Sequence, residues 1–173
     1  MACSDITAGI GLQCKQGIGG VQSIYIFNNL EDPFTITGSE ATAMNVLLTT
    51  SYQFEVLGDG NILEQNITSD RNTFTSINTQ TITAILGVMS ATKHATLELL
   101  TKGYPMAVIR DRNGLFHAVG ITDGIDFANV ATTGGVKGDF NGYTLTGTSM
   151  EGTLAPILDS ATVTAFLATV QPN

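Results

Sequence analysis

Residues 105–158, PMAVIRDRNGLFHAVGITDGIDFANVATTGGVKGDFNGYTLTGTSMEGTLAPIL, decide the reading of this chain. Asn113-Gly114 and Asn141-Gly142 are the dipeptides that a two-residue type I′ hairpin turn requires, because both central residues must take positive φ. The runs 106–109, 115–121 and 143–145 are rich in β-branched and aromatic residues, as strands are. The stretch predicts three or four consecutive antiparallel strands, and these form the expected core.

Upstream, residues 51–57 alternate, with Tyr52, Phe54 and Val56 on one face and Gln53 and Glu55 on the other. Period-two alternation predicts a half-buried strand. Gly58-Asp59-Gly60-Asn61 is expected to turn that strand back into residues 62–68, with Glu64 and Asn66 on the polar side. A long Thr/Ile strand, 73–86, follows. The whole of 51–86 thus reads as a long hairpin region, Thr-rich and weakly charged, and unpaired edges of that kind invite association. Residues 23–27 and 34–37 read as short strands. Residues 39–50 fit either a short helix capped by Ser39 and running to Leu47, or a strand beginning at Val46. Residues 1–22, with five glycines, read as an extended arm.

One helix is expected, over 90–102. Ser90 is a good N-cap, Lys102 falls in the last turn, and Gly103 with Pro105 stops it. Ala91, Ala95, Leu97, Leu99 and Leu100 supply an apolar face to cover a sheet. Residues 159–170 fit a last short helix or a closing strand. The pattern predicts a single mainly β domain over 1–173: an antiparallel sandwich or barrel with one flanking helix and a long protruding hairpin.

The chain has 173 residues, 43% of them hydrophobic and only 13% charged, which excludes intrinsic disorder. The low charge leaves a neutral polar surface that is easily desolvated between copies. The formal net charge is −8 and the pI about 4.4, so stable binding to a phosphate backbone is not expected. No secretory signal and no membrane span are expected from residues 1–14 or from any apolar run. Cys3 and Cys14 read as reduced thiols packed as small hydrophobes, or as a disulfide stapling the arm. The Asn66-Ile67-Thr68 sequon carries no expectation in a chain read as unexported.

Patterns with catalytic potential are isolated. Ser90-Ala91-Thr92-Lys93 matches the S-x-x-K of penicillin-recognising enzymes, but neither of that family's other motifs, S-D-N and K-T-G, accompanies it. His94 and His117 are the only histidines and fall on different elements, so no metal cluster is expected. Asp59, Asp111, Asp123 and Asp126 sit in Gly-containing turns, where aspartate caps backbone. Gly134-Gly135 lacks the Gly-Lys-Ser/Thr of a phosphate loop. No enzyme activity and no cofactor are expected.

The run Asp139-Phe140-Asn141-Gly142-Tyr143-Thr144-Leu145-Thr146-Gly147-Thr148, followed by Glu151 and Ala155-Pro156-Ile157-Leu158, resembles the C-terminal part of tail tube proteins of tailed bacteriophages. That family commonly carries D-x-N-G-Y-T-L-T-F-T-G-E-E-x-x-P-A-P. Gly147 stands here where the family has an aromatic, and Ser149-Met150-Glu151-Gly152 replaces its acidic pair. The resemblance covers about twenty residues. It implies a sandwich with a flanking helix and a long hairpin, whose copies form hexameric rings stacked into a tube that conducts DNA. It further implies a location in the virion tail, assembly in the host bacterial cytoplasm, and other tail proteins as partners. DNA would pass without specific binding, because a six-fold ring would carry roughly 48 excess negative charges. Glu55, Gly58, Asp59, Gly60, Asn61 and Glu64 are the expected contact residues between copies. The alternatives are a capsid decoration, neck or stopper protein, and a soluble β-barrel binding module.

Overall fold

The structure, a computed structural model, describes residues 9–11, 14–15 and 17–172. Two sheets stack as a sandwich. The larger has eight strands in the order β12-β4-β1-β7-β8-β11-β3-β2: Val170–Gln171 (β12), Ser51–Glu55 (β4), Val21–Phe27 (β1), Met106–Asp111 (β7), Phe116–Val119 (β8), Ile157–Leu158 (β11), Glu40–Met44 (β3) and Phe34–Thr37 (β2). The smaller has four, in the order β5-β6-β10-β9: Ile62–Asp70 (β5), Thr75–Gly87 (β6), Gly142–Glu151 (β10) and Asp126–Thr132 (β9). The fold is mainly β, as the sequence predicts, and neither sheet closes into a barrel.

Alternation builds the interior. Ile24 and Ile26 of β1, Ala107 and Ile109 of β7, and Val119 of β8 point at the smaller sheet. They meet Ile82, Ala84 and Leu86 of β6, and Tyr143 and Leu145 of β10. The opposite face of the same central strands is buried too. Tyr25, Phe27, Met106, Val108 and Phe116 pack there with Phe34, Ala41 and Phe166. A strand covered on both faces reads as a continuous apolar run, which Ile24-Tyr25-Ile26-Phe27 is.

Phe166 belongs to a second helix, α2 (Ser160–Leu167), with Asp159 as N-cap accepting from Thr162 N–H at 2.7 Å. Its ring meets Tyr25 edge-on at 5.7 Å and Phe27 at 6.1 Å between centroids, so this helix closes the outer core. Both alternatives drawn for residues 159–170 are therefore realised in turn, a helix and then β12. The helix α1 (Ala91–Leu100) has the Ser90 cap predicted for it, its Oγ accepting from Lys93 N–H at 3.2 Å. It ends at Leu100 with Thr101 as C-cap, so Lys102 lies outside it. Of the expected apolar face only Leu97 is buried and Leu100 half-buried; Ala91, Ala95 and Leu99 are exposed. This helix rests on the rim of the core, where Ser90 N–H donates to Tyr143 Oη at 3.3 Å and His94 meets the Tyr143 ring edge-on.

Three expectations are corrected. Residues 51–86 are not one hairpin. β4 pairs with β1 in the large sheet and β5 with β6 in the small one, so residues 58–61 cross between sheets. The long hairpin is β5–β6, turning at residues 71–74. Next, residues 105–158 are not one strand stack: β7–β8 belong to the large sheet and β9–β10 to the small. Finally, neither Asn-Gly pair forms a type I′ turn. At β7–β8 only Gly114 has positive φ (+87°), and Gly114 N–H donates to Asp111 O, so Arg112 and Asn113 are the turn's centre. Gly142 opens β10, opposite Gly87, and the β9–β10 link is a longer loop, 133–141.

Residues 39–50 form the β3 strand at their start and then loop, matching neither alternative. Cys14 is a free, exposed thiol and is not packed in the core; Cys3 lies outside the described residues.

Candidate assembly surfaces

The outward face of the small sheet is set by register. Thr83 of β6 lies between Ile62 and Thr146, and Thr81 between Glu64 and Thr148. Thr79 lies between Asn66 and Met150, and Ile77 beside Thr68. On β9, Val130, Ala128 and Asp126 continue these rows opposite Thr144, Thr146 and Thr148. Nine threonines thus share one face: Thr68, Thr75, Thr79, Thr81, Thr83, Thr132, Thr144, Thr146 and Thr148. Its only charged members are Glu64, Asp70 and Asp126, all negative. Threonine is favoured on a pleated surface because its branched Cβ packs against cross-strand neighbours, and its hydroxyl keeps that surface wet.

Among the described residues both borders of this sheet are open, and nothing pairs with the outer side of β5 or of β9. An unpaired edge presents a row of N–H and C=O groups to any strand that approaches. β5 and β6 also run past the sheet. The ladder between β6 and β10 ends at Asn78 and Glu151, so Thr75–Ile77 pair only with β5, as an exposed two-stranded ribbon. At its tip Phe74 is 93% exposed, with φ +54°.

The six residues expected to make contacts fall in different places. Glu55 is exposed at the end of β4, in the large sheet, and Glu64 lies on the Thr-rich face. Gly58, Asp59 and Gly60 are exposed in the crossover, where Asp59 pairs with Arg112 at 3.2 Å. Arg112 also donates to Gly58 O at 2.9 Å. Asn61 is 4% exposed and is no contact residue of the free surface. Its Nδ2 donates to Leu57 O and Gly58 O, both at 3.0 Å, and its Oδ1 accepts from Ile85 N–H at 2.7 Å. It fastens the crossover to β6. Sequence reading singled out the Thr-rich strands of 51–86 as a surface for association, but not the ribbon tip at Phe74.

A polar cluster braces the end of the sandwich from which the ribbon projects. Gln80, buried on β6, accepts from Gly120 N–H at 3.1 Å, and Gln65 accepts from Ala155 N–H at 2.7 Å. Asn78 donates to Thr153 O at 2.8 Å. Glu151 accepts from Thr122 N–H at 3.1 Å. These side chains tie loops to the small sheet.

The isolated chemical motifs are also engaged structurally. Ser90 Oγ caps α1, while Lys93 Nζ donates to Gly87 O and Val88 O at 2.6 and 2.9 Å. His117 Nε2 stands 3.6 Å from Asp111 Oδ2 across the β7–β8 hairpin. Burial works to raise the Asp111 pKa, but N–H donors from Leu115 and Asn113, with His117 beside them, outweigh it and hold the carboxyl below 3.8. The backbone N–H groups of Gly135 and Val136 lower that of Asp139. A carboxyl depressed in the folded state stabilises above its unfolded pKa and loses that contribution as pH falls through the folded value. The urea midpoint is therefore expected to change little from pH 7 to about 5 and to fall below about pH 4. A midpoint unchanged at pH 3 would contradict this.

No group of His, Cys, Asp and Glu among the described residues is arranged to hold a metal ion, and no helix among them is long and apolar enough to cross a membrane. Comparison of the chain with protein-family models, with curated proteins and with solved structures finds no match to any of them.

Proposed function

We propose that this chain is a virion structural subunit of the tail tube kind, which joins copies of itself into stacked rings around a channel. The observation that carries the reading is the small sheet: two open borders, a weakly charged threonine face, and a ribbon extending beyond it. A sheet open on both sides is satisfied when β5 of one copy pairs with β9 of the next. Such a contact is head-to-tail, and it closes a ring when the rotation per copy divides a full turn. The joined sheets then form one continuous inner wall. That wall carries threonine hydroxyls with Glu64, Asp70 and Asp126 and no cation, so a phosphate backbone is repelled and slides past wetted hydroxyls. The resemblance of residues 139–158 to tail tube proteins supports the same reading and suggests six copies per ring.

The border contact is tested by proline. Successive N–H groups of a strand point to opposite sides, so of Asn129→Pro and Val130→Pro one removes an outward donor and the other an inward one. The outward variant should keep the monomer's melting temperature within a few degrees and lose ring formation in sedimentation velocity. Rings formed equally well by both folded variants would rule the β9 border out.

A further inference from the structure

We infer that the ribbon tip is a plug, and that its socket is the β9–β10 loop of a second copy in the next ring. Phe74 takes a left-handed conformation, φ +54°, that is costly for a bulky side chain and cheap for glycine. It makes up for this with no burial in its own chain, being 93% exposed. A strained, solvent-facing aromatic on a projecting ribbon is explained by a contact outside the chain.

The complementary feature lies at the other end of the same strand. Gly87 closes β6 opposite Gly142 and, through it, Thr132, so loop 133–141 stands about 40 Å from the tip along the strand. There an open cleft of about 580 Å³ is lined by Ala131, Gly134, Gly135, Asp139 and Phe140 among others. A cavity of roughly 150 Å³ accepts a benzene-sized ring. The glycine pair leaves part of the wall without side chains, and the partly exposed Phe140 ring offers an aromatic contact. Val88 and Val136, both exposed, stand at the same end.

Charge is balanced at each end and opposes nothing: Asp70 and Arg71 both adjoin the plug, and Lys137 and Asp139 both lie in the socket loop, Asp139 with its Oδ2 held by Gly135 and Val136 N–H. Plug and socket lie on opposite ends of one molecule, so the contact is heterologous and does not close. It generates a filament, the direction in which rings would stack. The inference rests on the ring reading and adds what joins one ring to the next.

The test is a cross-link in the full chain with Cys3 and Cys14 replaced by serine. Thr73→Cys, beside the plug, is combined with Val136→Cys, beside the socket, and oxidised after assembly. The two positions are too far apart to bond within one chain, so a ladder of covalent dimers, trimers and higher multimers extending past a single ring is expected, with neither single variant extending beyond a dimer. Adding Phe74→Ala should cut the ladder's yield about tenfold, the loss expected for removing a buried ring. Rings or tubes by electron microscopy with no ladder would overturn the plug and leave the ring reading standing. A ladder ending at one ring's copy number would place the tip against a lateral neighbour and overturn stacking. A parent protein that forms no rings at all would remove both.

Discussion

Asn61→Ala is expected to destabilise the folded chain by about 2–4 kcal/mol, read as a lower urea midpoint at unchanged slope. One side chain serves Leu57 O, Gly58 O and Ile85 N–H, at distances of 2.7–3.0 Å. Alanine leaves Ile85 N–H and Leu57 O without this partner, while Gly58 O keeps Arg112, and a buried orphan costs about 1–3 kcal/mol. The backbone O of Asn61 also accepts from Val21 N–H at 3.1 Å, so the residue sits where crossover, β1 and β6 meet. Asn61→Asp keeps the acceptor for Ile85 but sets a carboxylate oxygen against Leu57 O and Gly58 O, and should cost at least as much as alanine. Were Asn61→Ala instead to leave the midpoint unchanged while blocking association, Asn61 would be a contact residue after all.

Gly147→Phe, which puts an aromatic where the pattern that residues 139–158 resemble has one, is expected to cost about 3 kcal/mol or to prevent folding. Gly147 is paired with Phe127 across β9–β10 and faces the core. A Cβ added there would come within 2.6 Å of the Phe127 ring and 2.8 Å of Ile125 Cγ2. The neighbouring strand's aromatic already fills the space over the glycine, a form of cross-strand rescue. The aromatic at this level of the sheet is thus Phe127, at the paired position. Phe127→Ala in the Gly147→Phe background should recover part of the loss, whereas Phe127→Ala alone should destabilise. Additive effects in that double-mutant cycle would show that the two positions do not share one site.

The strands themselves were legible in the sequence, and their partners were not. Alternation at 51–57, the apolar run 24–27 and the Thr/Ile pattern of 73–86 each gave a strand close to the observed one. Gly58-Asp59-Gly60-Asn61 has the chemistry of a hairpin turn, yet it also suits a crossover, because both need positive φ and backbone capping. Gly58 and Gly60 have φ of +57° and +91° here. What separates the two cases is the three-way bonding of Asn61 to groups up to 24 residues away, which local pattern does not contain. Asn141-Gly142 misled for a related reason. Gly142 is needed because a Cβ would come within 2.3 Å of Leu86 O, a demand of strand packing and not of a turn. The α1 helix was visible from its cap, but its Ala/Leu content overstated its burial.

The outer threonine face follows directly from register once β6 is placed between β5 and β10. The ribbon tip does not, since Phe74 occupies a left-handed position that sequence reading assigns to glycine or asparagine.

Electron microscopy of the purified chain across a range of concentrations tests the assembly account most directly. The account predicts stacked rings with an open central channel, the small sheets joined edge to edge around it and the threonine face towards the lumen. A monodisperse monomer at every concentration, or an oligomer in which β5 and β9 face solvent, would contradict it.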